Sequence, residues 1–515
     1  MATTRRVIRE ENPGIRSLQK VVLDLRDNLE PGGDLEDLKN RNPIVLVPGF
    51  SGWGRPLLGA VNYFGGFSDF ASALADDGYI VIQVRLSPLS SNRERACEIF
   101  QQLTNINING TPPGTPPTLI DVNYGNLPLD PLIQPKLAPK TWQAVIYGAD
   151  KLAPTWRWST TDRVTFICHS QGGTTVRYLL YLLSGAAPPD LPQFPSNDER
   201  ARAKAVITLG TPHKGTTVTN VVQSFLQGDP DRNAVVDFVT SCSYAARQDR
   251  VYDLGLDHWG FARSGQETYQ IMRQRIGRAV VAWFEGQTNG LYDNSIAGAT
   301  VLNTTTTLAA PPTYFFTMAF CATNPFPNRI LTRQDIEEFI RLLPGGDIFN
   351  FLGFGFTATT LLELANWAGI APTLQRTFSW MTDVANRHLG AMGYFSQIPR
   401  PGEQVPRPDM LPVIAPFAYG MGGVRGGEWA ANDGIVNTVS MDGPPGPPGN
   451  VRGAEEFVSH FNPANLGAVQ GWFWCFGENG TVDHADQLGV FTDATTNQEV
   501  EVMYKLLAEL ATRLL

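Results

Sequence analysis

Val164-Thr-Phe-Ile-Cys168 is a continuous apolar run, broken at once by His169-Ser-Gln-Gly-Gly173 and followed by a helical pattern carrying Val176, Leu179, Leu180 and Leu183. A short uninterrupted apolar run suits a strand covered on both faces, and such strands belong to parallel sheets whose crossovers are helices. The same order of run, turn and helix recurs along the chain. Pro43-Ile-Val-Leu-Val-Pro-Gly49 is an earlier strand. Phe67, Phe70, Ala71 and Leu74 share a helical face that Gly78 ends, and Tyr79–Leu86 and Ala205–Gly210 are further strands. Tyr314–Phe320 adds another strand, and Val500, Met503, Tyr504, Leu507, Leu510 and Leu514 give a C-terminal amphipathic helix. The expected fold class is therefore α/β, with a mainly parallel central sheet flanked by helices.

Residues 1–40 are charged and punctuated by Pro31-Gly32-Gly33, and are taken as an N-terminal extension to a domain spanning 41–515. Three segments fit the alternation poorly and are expected as insertions: 104–160, 217–305 and 321–425. Hydrophobic residues make up 43% of the 515 and charged residues 17%, so the chain can bury a large core. Lys+Arg total 40 against Asp+Glu 49, a net charge of −9 that argues against nucleic-acid binding. The longest uncharged apolar stretch, Ile348–Leu362, is interrupted by Asn350, Gly353 and Gly355, and no transmembrane segment is expected. The first residues lack the apolar core of a secretory signal, which predicts a leaderless or cytoplasmic protein. Five dispersed cysteines, without CxxC spacing, are expected as reduced thiols.

The chemistry centres on Ser170. A sharp strand-to-helix turn lifts a serine hydroxyl above the carboxyl edge of a sheet, and it needs small residues on either side so that strand and helix can approach. Gly172 supplies this, and Cys168 approximates it. A hydroxyl at neutral pH needs a base, usually a histidine held by a carboxylate. Of the six histidines, His169 abuts the serine and His213 comes too early for the serine, acid, histidine order of such folds. His484, in a polar stretch before the final helix, and His460 compete for the role on position. Asp433, in Asn432-Asp-Gly434, precedes His484 where a turn enters an apolar run, and suits the orienting acid.

These stretches resemble the thermoalkalophilic and staphylococcal lipases, which are α/β-hydrolases. The resemblance rests on Pro43–Gly54, Ser87-Pro-Leu-Ser-Ser-Asn-Arg-Glu-Arg-Ala-Cys-Glu98, His169–Gly173, Gly210-Thr-Pro-His213, Val251–Gly260, Asn432–Met441 and Val482-Asp-His484, found here in the family's order. It implies an α/β-hydrolase fold with helical lid or cap insertions. It also implies Ser170 as nucleophile, Asp433 as orienting acid, His484 rather than His460 as base, and an oxyanion hole from the backbone N–H groups of Phe50 and Gln171. The family's His-Gly before that Phe is Pro48-Gly49 here.

The resemblance further implies metal positions, and here the sequence departs from the pattern. The family's zinc carboxylates correspond to Glu94 and Asp257, but its histidines fall in 104–160, which contains none. The two carboxylates are instead expected to pair with Arg93, Arg95 or other cations, with His258 the one local imidazole. Asp486 holds the calcium-site acid position, while the later Asp-Pro is Phe491-Thr492. No cofactor is expected to be required.

The implied activity is hydrolysis of carboxylic esters, acylglycerols first, through an acyl-enzyme on Ser170. Transient contact with a lipid interface is expected through Phe225, Leu226, Val235, Val236, Phe238 and Val239 or through the Phe-rich stretch Ile348–Phe356. Packing of these residues in a cap core is the alternative. An intracellular esterase, lactonase or acyltransferase acting on a specialised ester is the rival enzyme, and a catalytically silent binding protein of the same fold is the rival from another class.

Overall fold

The structure, a computed structural model, describes residues 8–28, 38–39, 41–106, 119–120, 138–139, 142–225, 229–306, 312–325, 402–446 and 450–514, apart from positions 55, 58, 408, 412 and 413. Most of the 104–160 and 321–425 insertions and the stretch Ile348–Phe356 lie outside the described residues.

Among the described residues, eight strands make the central sheet: β1 Ile44–Val47, β2 Val81–Gln83, β3 Val145–Tyr147, β4 Val164–His169, β5 Ala203–Leu209, β6 Tyr314–Phe320, β7 Val451–Gly453 and β8 Phe473–Asn479. Their spatial order is β7-β8-β6-β5-β4-β1-β2-β3. Every neighbouring pair is parallel except β2 with β3. β4 lies between β1 and β5, with Cys168 opposite Val47 on one side and Thr208 on the other. The last residues of these three strands therefore stand together at the carboxyl edge, where open α/β sheets place their sites.

Both faces of the sheet are covered, as its continuous apolar runs require. Along β1, Ile44 and Leu46 enter one core with Ile167, Ile207 and Phe316, while Val45 and Val47 enter another with Phe166, Cys168 and Val206. The alternation follows from the two-residue period of a strand. The helices described here are α1 Pro13–Asn28, α2 Phe70–Asp76, α3 Asn92–Thr104, α4 Gln171–Tyr181, α5 Val218–Phe225, α6 Asp229–Tyr244, α7 Tyr269–Glu285, α8 Ala415–Arg425 and α9 Ala494–Arg513. α1, α2 and α9 cover the first face; α3 and α4 cover the second.

Several elements differ from the sequence expectation. Part of the N-terminal extension is core: Ile15, Leu18, Val21, Val22 and Leu25 of α1 are fully buried in the cluster that contains Met503, Leu507 and Leu510 of α9. α1 begins with Pro at its first position, where the missing N–H costs nothing. Phe67 lies outside α2 and is half exposed, while Phe70, Ala71 and Leu74 are buried as expected. β2 is shorter than Tyr79–Leu86; β3 and β8 lie in short apolar runs, Ala144–Tyr147 and Trp472–Phe476, that were not among the expected strands, and β7 has no continuous apolar run.

Segment 217–305 is helical. Val235, Val236 and Val239 of α6 pack against Met272, Ile276, Val280 and Trp283 of α7, and the Phe50 side chain leans on this cluster. Those α6 valines thus form a cap core, the alternative raised for them. The side chains of Phe225 and Leu226 lie outside the described residues. Among the described residues no helix is long and apolar enough to cross a membrane.

Candidate active site

Ser170 occupies the residue between β4 and α4 with φ 54° and ψ −129°. This is a left-handed setting that a non-glycine residue holds at a cost of about 1–3 kcal/mol, met only when its surroundings fix it. They do so here. Ser170 N–H donates to Leu209 O at the end of β5 (2.9 Å), and Thr211 Oγ1 donates to Ser170 O (2.8 Å). Gly172 is required by space rather than by its torsions, because a Cβ there would stand 2.6 Å from Val47 O. Gly49 is likewise pressed on the serine, with 2.6 Å between a built Cβ and Ser170 Cβ. Strand, helix and first-strand loop therefore meet at the serine as closely as backbone permits.

Asp433 and His484 come together from opposite sides of the last long loop and strand. His484 Nδ1 lies 2.7 Å from Asp433 Oδ2, and His484 N–H donates to Asp433 O (3.0 Å). Asp433 is fully buried. Its Oδ1 accepts the N–H groups of Ile435 (3.0 Å) and Val436 (2.8 Å), and its Oδ2 also accepts Gln487 Nε2 (2.7 Å). Donors thus occupy both oxygens of this buried carboxylate, and its Oδ2 fixes the His484 proton on Nδ1 and leaves Nε2 as the basic atom. The His484 ring stands 4.5 Å from the ring of His169, the residue before Ser170, which sets the acid–base pair beside the serine turn. Burial drives the His169 pKa well below the ordinary imidazole value, so His169 is neutral.

The other histidines stand elsewhere. His460 is exposed at a short helix end, with Nδ1 2.9 Å from Glu456 O. His213 is buried against Thr208 Oγ1 (3.1 Å). His388 lies outside the described residues. Gln487 was not anticipated as a partner of Asp433; it reaches Asp433 because the short helical turn Asp486–Leu488 follows His484, a turn that the sequence does not announce.

Phe50 follows β1 and Gln171 opens α4, so the two residues flank Ser170. The Gln171 side chain is fully buried, with Nε2 3.3 Å from both Ser90 O and Asn92 Oδ1. Asn92 Oδ1 also accepts Thr174 Oγ1 (3.2 Å) and Thr175 Oγ1 (2.9 Å), which ties the first turn of α4 to α3.

The metal positions implied by resemblance do not fit their ions. Glu94 Oε1 is 2.8 Å from His258 Nε2, both residues being almost fully buried. Asp257 is taken by Arg250 (2.6 Å) and Arg247 (3.5 Å). The predicted cation pairing thus holds for Asp257, but with Arg250 and Arg247. Arg93 pairs with Asp190 (2.6 Å), and Arg95 is turned to backbone carbonyls and Thr175. Among the described residues, one imidazole and one remaining carboxylate fall short of the four ligands zinc takes.

Around Asp486, Asp483 Oδ1 accepts the N–H groups of Ala485 and Asp486, Asp483 Oδ2 accepts Leu411 N–H, and Asp486 Oδ2 accepts Asp483 N–H. Three of these four carboxylate oxygens are spent on the backbone, far short of the six to eight that calcium seeks. Burial pushes the Asp483 pKa up to about 6 and that of Asp486 well above its ordinary value. Among the described residues no three His, Cys, Asp or Glu side chains converge as a metal site.

Residues 142–349 match the family described as lipase-like, C-terminal domain. Lipase 1 of Staphylococcus aureus (strain MRSA252) is 26% identical over 329 residues, covering 60% of this chain and 43% of the relative. The Staphylococcus epidermidis lipase is 25% identical over 312 residues, covering 57% and 40%. The chain thus spans less than half the length of these curated relatives. Among solved structures, the Staphylococcus hyicus lipase superposes with a TM-score of 0.59 at 20% identity, covering 94% of this chain and 98% of that one. Lipase 1 from Pelosinus fermentans gives 0.52 at 24%, covering 92% and 99%. The chain is similar in sequence to the staphylococcal lipases and has the α/β-hydrolase fold of bacterial lipases, as its motifs predicted.

Proposed function

We propose that the chain hydrolyses carboxylic esters, acylglycerols first, through an acyl-enzyme on Ser170. The observation that carries this reading is the Asp433–His484 pair beside a serine held at positive φ on a strand-to-helix turn. His484 Nε2 takes the Ser170 proton as Oγ attacks the ester carbonyl, and Asp433 Oδ2 stabilises the imidazolium through Nδ1–H. The Phe50 and Gln171 N–H groups receive the negative charge that develops on the carbonyl oxygen, each contributing about 2.7–4 kcal/mol at the transition state. The alcohol leaves with the proton from His484, and water, activated by the same imidazole, releases the acid.

The reaction runs without a metal ion or organic cofactor in this reading, since every proton and charge is handled by the chain itself. The substrate is a lipid ester, and engagement of a lipid interface precedes turnover on emulsified glycerides. The decisive experiment compares wild type with Ser170→Ala on triacylglycerols and p-nitrophenyl esters of graded chain length. Loss of all turnover in the variant, with long chains preferred by wild type, is the expected result. Retained hydrolysis in Ser170→Ala ends the proposal, and a preference for short or cyclic esters moves it to the esterase or lactonase class.

A further inference from the structure

The residue two before Phe50 is Pro48, which has no N–H to anchor the loop after β1. The loop is nevertheless held at the Pro48–Gly49 peptide, whose two polar atoms are both gripped by buried side chains. On the carbonyl edge, Arg95 Nη2 donates to Pro48 O. On the amide edge, Gly49 N–H donates to Tyr63 Oη (2.9 Å). We infer that Tyr63 and Arg95 are positioning residues that clamp the Pro48–Gly49 peptide plane and thereby aim the Phe50 N–H, one peptide further on, at the oxyanion. The inference rests on the ester-hydrolase reading of the site.

The clamp is built for precision rather than for charge pairing. Arg95 is fully buried, and its Nη1 and Nε donate to Ser87 O (3.0 Å) and Thr175 Oγ1 (3.1 Å), so one guanidinium ties the loop after β1, the loop after β2 and α4. The Ser87 segment is itself fixed, because Glu98 accepts Ser87 N–H (2.7 Å) and Oγ (2.5 Å). Burial lowers the Arg95 pKa to about 10, which leaves the group charged at neutral pH.

Tyr63 reaches the other side. Its hydroxyl accepts from Gly49, so its own proton is committed to His169 Nδ1 (2.8 Å), and neutral His169 is the acceptor this requires. The oxyanion loop and the nucleophile turn are thus referenced to one hydroxyl. The ring is held independently, edge-on to Trp53 (5.2 Å) and Phe64 (5.0 Å), so removal of the hydroxyl leaves its packing in place. Both polar atoms of the Pro48–Gly49 peptide and the Tyr63 hydroxyl are thus paired inside a buried network, which favours one arrangement of the loop. An error of an ångström in a catalytic donor is enough to cost rate without costing binding.

Tyr63→Phe and Arg95→Lys test this in the full chain. On a soluble p-nitrophenyl ester, kcat of Tyr63→Phe is expected to fall about 10- to 100-fold, with KM changed less than about threefold. Affinity for a boronic acid that mimics the tetrahedral intermediate should fall by the same factor as kcat/KM, while affinity for the carboxylic-acid product stays put. Arg95→Lys keeps the charge but not the three-way geometry, and should show the same split. A kcat within twofold of wild type in both variants, or equal loss of mimic and product affinity, overturns the clamp. Ser170→Ala run in parallel separates the levels. Turnover in that variant removes the ester-hydrolase reading itself, whereas a dead Ser170→Ala beside fully active Tyr63→Phe and Arg95→Lys removes only the clamp.

Discussion

At the scale of residues, the site depends on which atom holds which proton. Asp433 Oδ2 serves two donors, His484 Nδ1 and Gln487 Nε2, each at 2.7 Å. Asp433→Asn is expected to present an amide where the anion stood, invert the His484 tautomer and lower kcat by about four orders of magnitude with little change in KM. Gln487→Met removes only the second donor and should cost about tenfold in kcat. Steady-state kinetics on one soluble ester check both; equal effects of the two substitutions contradict these roles. Position left His484 in competition with His460 until the family resemblance separated them, whereas Ser170 and Asp433 were legible as candidates through local patterns, a strand-to-helix turn and an Asn-Asp-Gly turn before an apolar run. Tyr63, Arg95 and Gln487 were not, because their roles rest on contacts between segments distant in sequence or on a turn whose direction the sequence does not encode.

Elements were legible where burial is two-sided. β1, β4, β5 and β6 are buried at every position and were read correctly to within a few residues. β7 is partly exposed along its length and gives no continuous apolar run, whereas β8 holds one, Trp472–Phe476, but ends in Gly477-Glu-Asn479 rather than in a strand-to-helix turn and was not among the expected strands. α1 was passed over because charges surround its apolar stripe, yet the segment leading into it also holds the loop that carries His484. Asn12 Oδ1 accepts Thr481 N–H (3.1 Å) and Oγ1 (2.9 Å), Gly480 N–H donates to Glu11 O (2.8 Å), and Arg9 pairs with buried Glu499 (2.7 Å). Leu18→Ala should therefore destabilise the whole fold by about 2–5 kcal/mol, as loss of a buried leucine does, measured by denaturant titration. A change below about 0.5 kcal/mol contradicts the placement of α1 in the core.

For the whole molecule, two expectations concern conditions. Chelation should leave activity and thermal midpoint unchanged and added zinc or calcium should raise neither, because Asp257 is neutralised by arginines and the Asp483–Asp486 oxygens are spent on backbone. A stoichiometric metal retained through purification and lost with stability on chelation contradicts this.

The second expectation concerns Asp293, whose pKa burial pushes up to about 7 although Asn92 N–H donates to it (2.5 Å). An unfolded aspartate titrates near ~3.9, so between there and about 7 the folded state binds the extra proton. The contribution of this group to stability is complete below the unfolded value and is lost as pH rises through about 7. Asp293→Asn, which keeps an acceptor for Asn92, should gain in thermal midpoint over wild type as pH goes from 5 to 8. A difference independent of pH contradicts the assignment.

The most direct measurement of the central claim is mass spectrometry of the intact protein and its peptides after reaction with a fluorophosphonate ester. The account predicts one adduct per chain, on the peptide bearing Ser170, formed rapidly by wild type and at least about a hundredfold more slowly by His484→Ala. Labelling of a different residue, or undiminished labelling of Ser170 without the imidazole at 484, contradicts it.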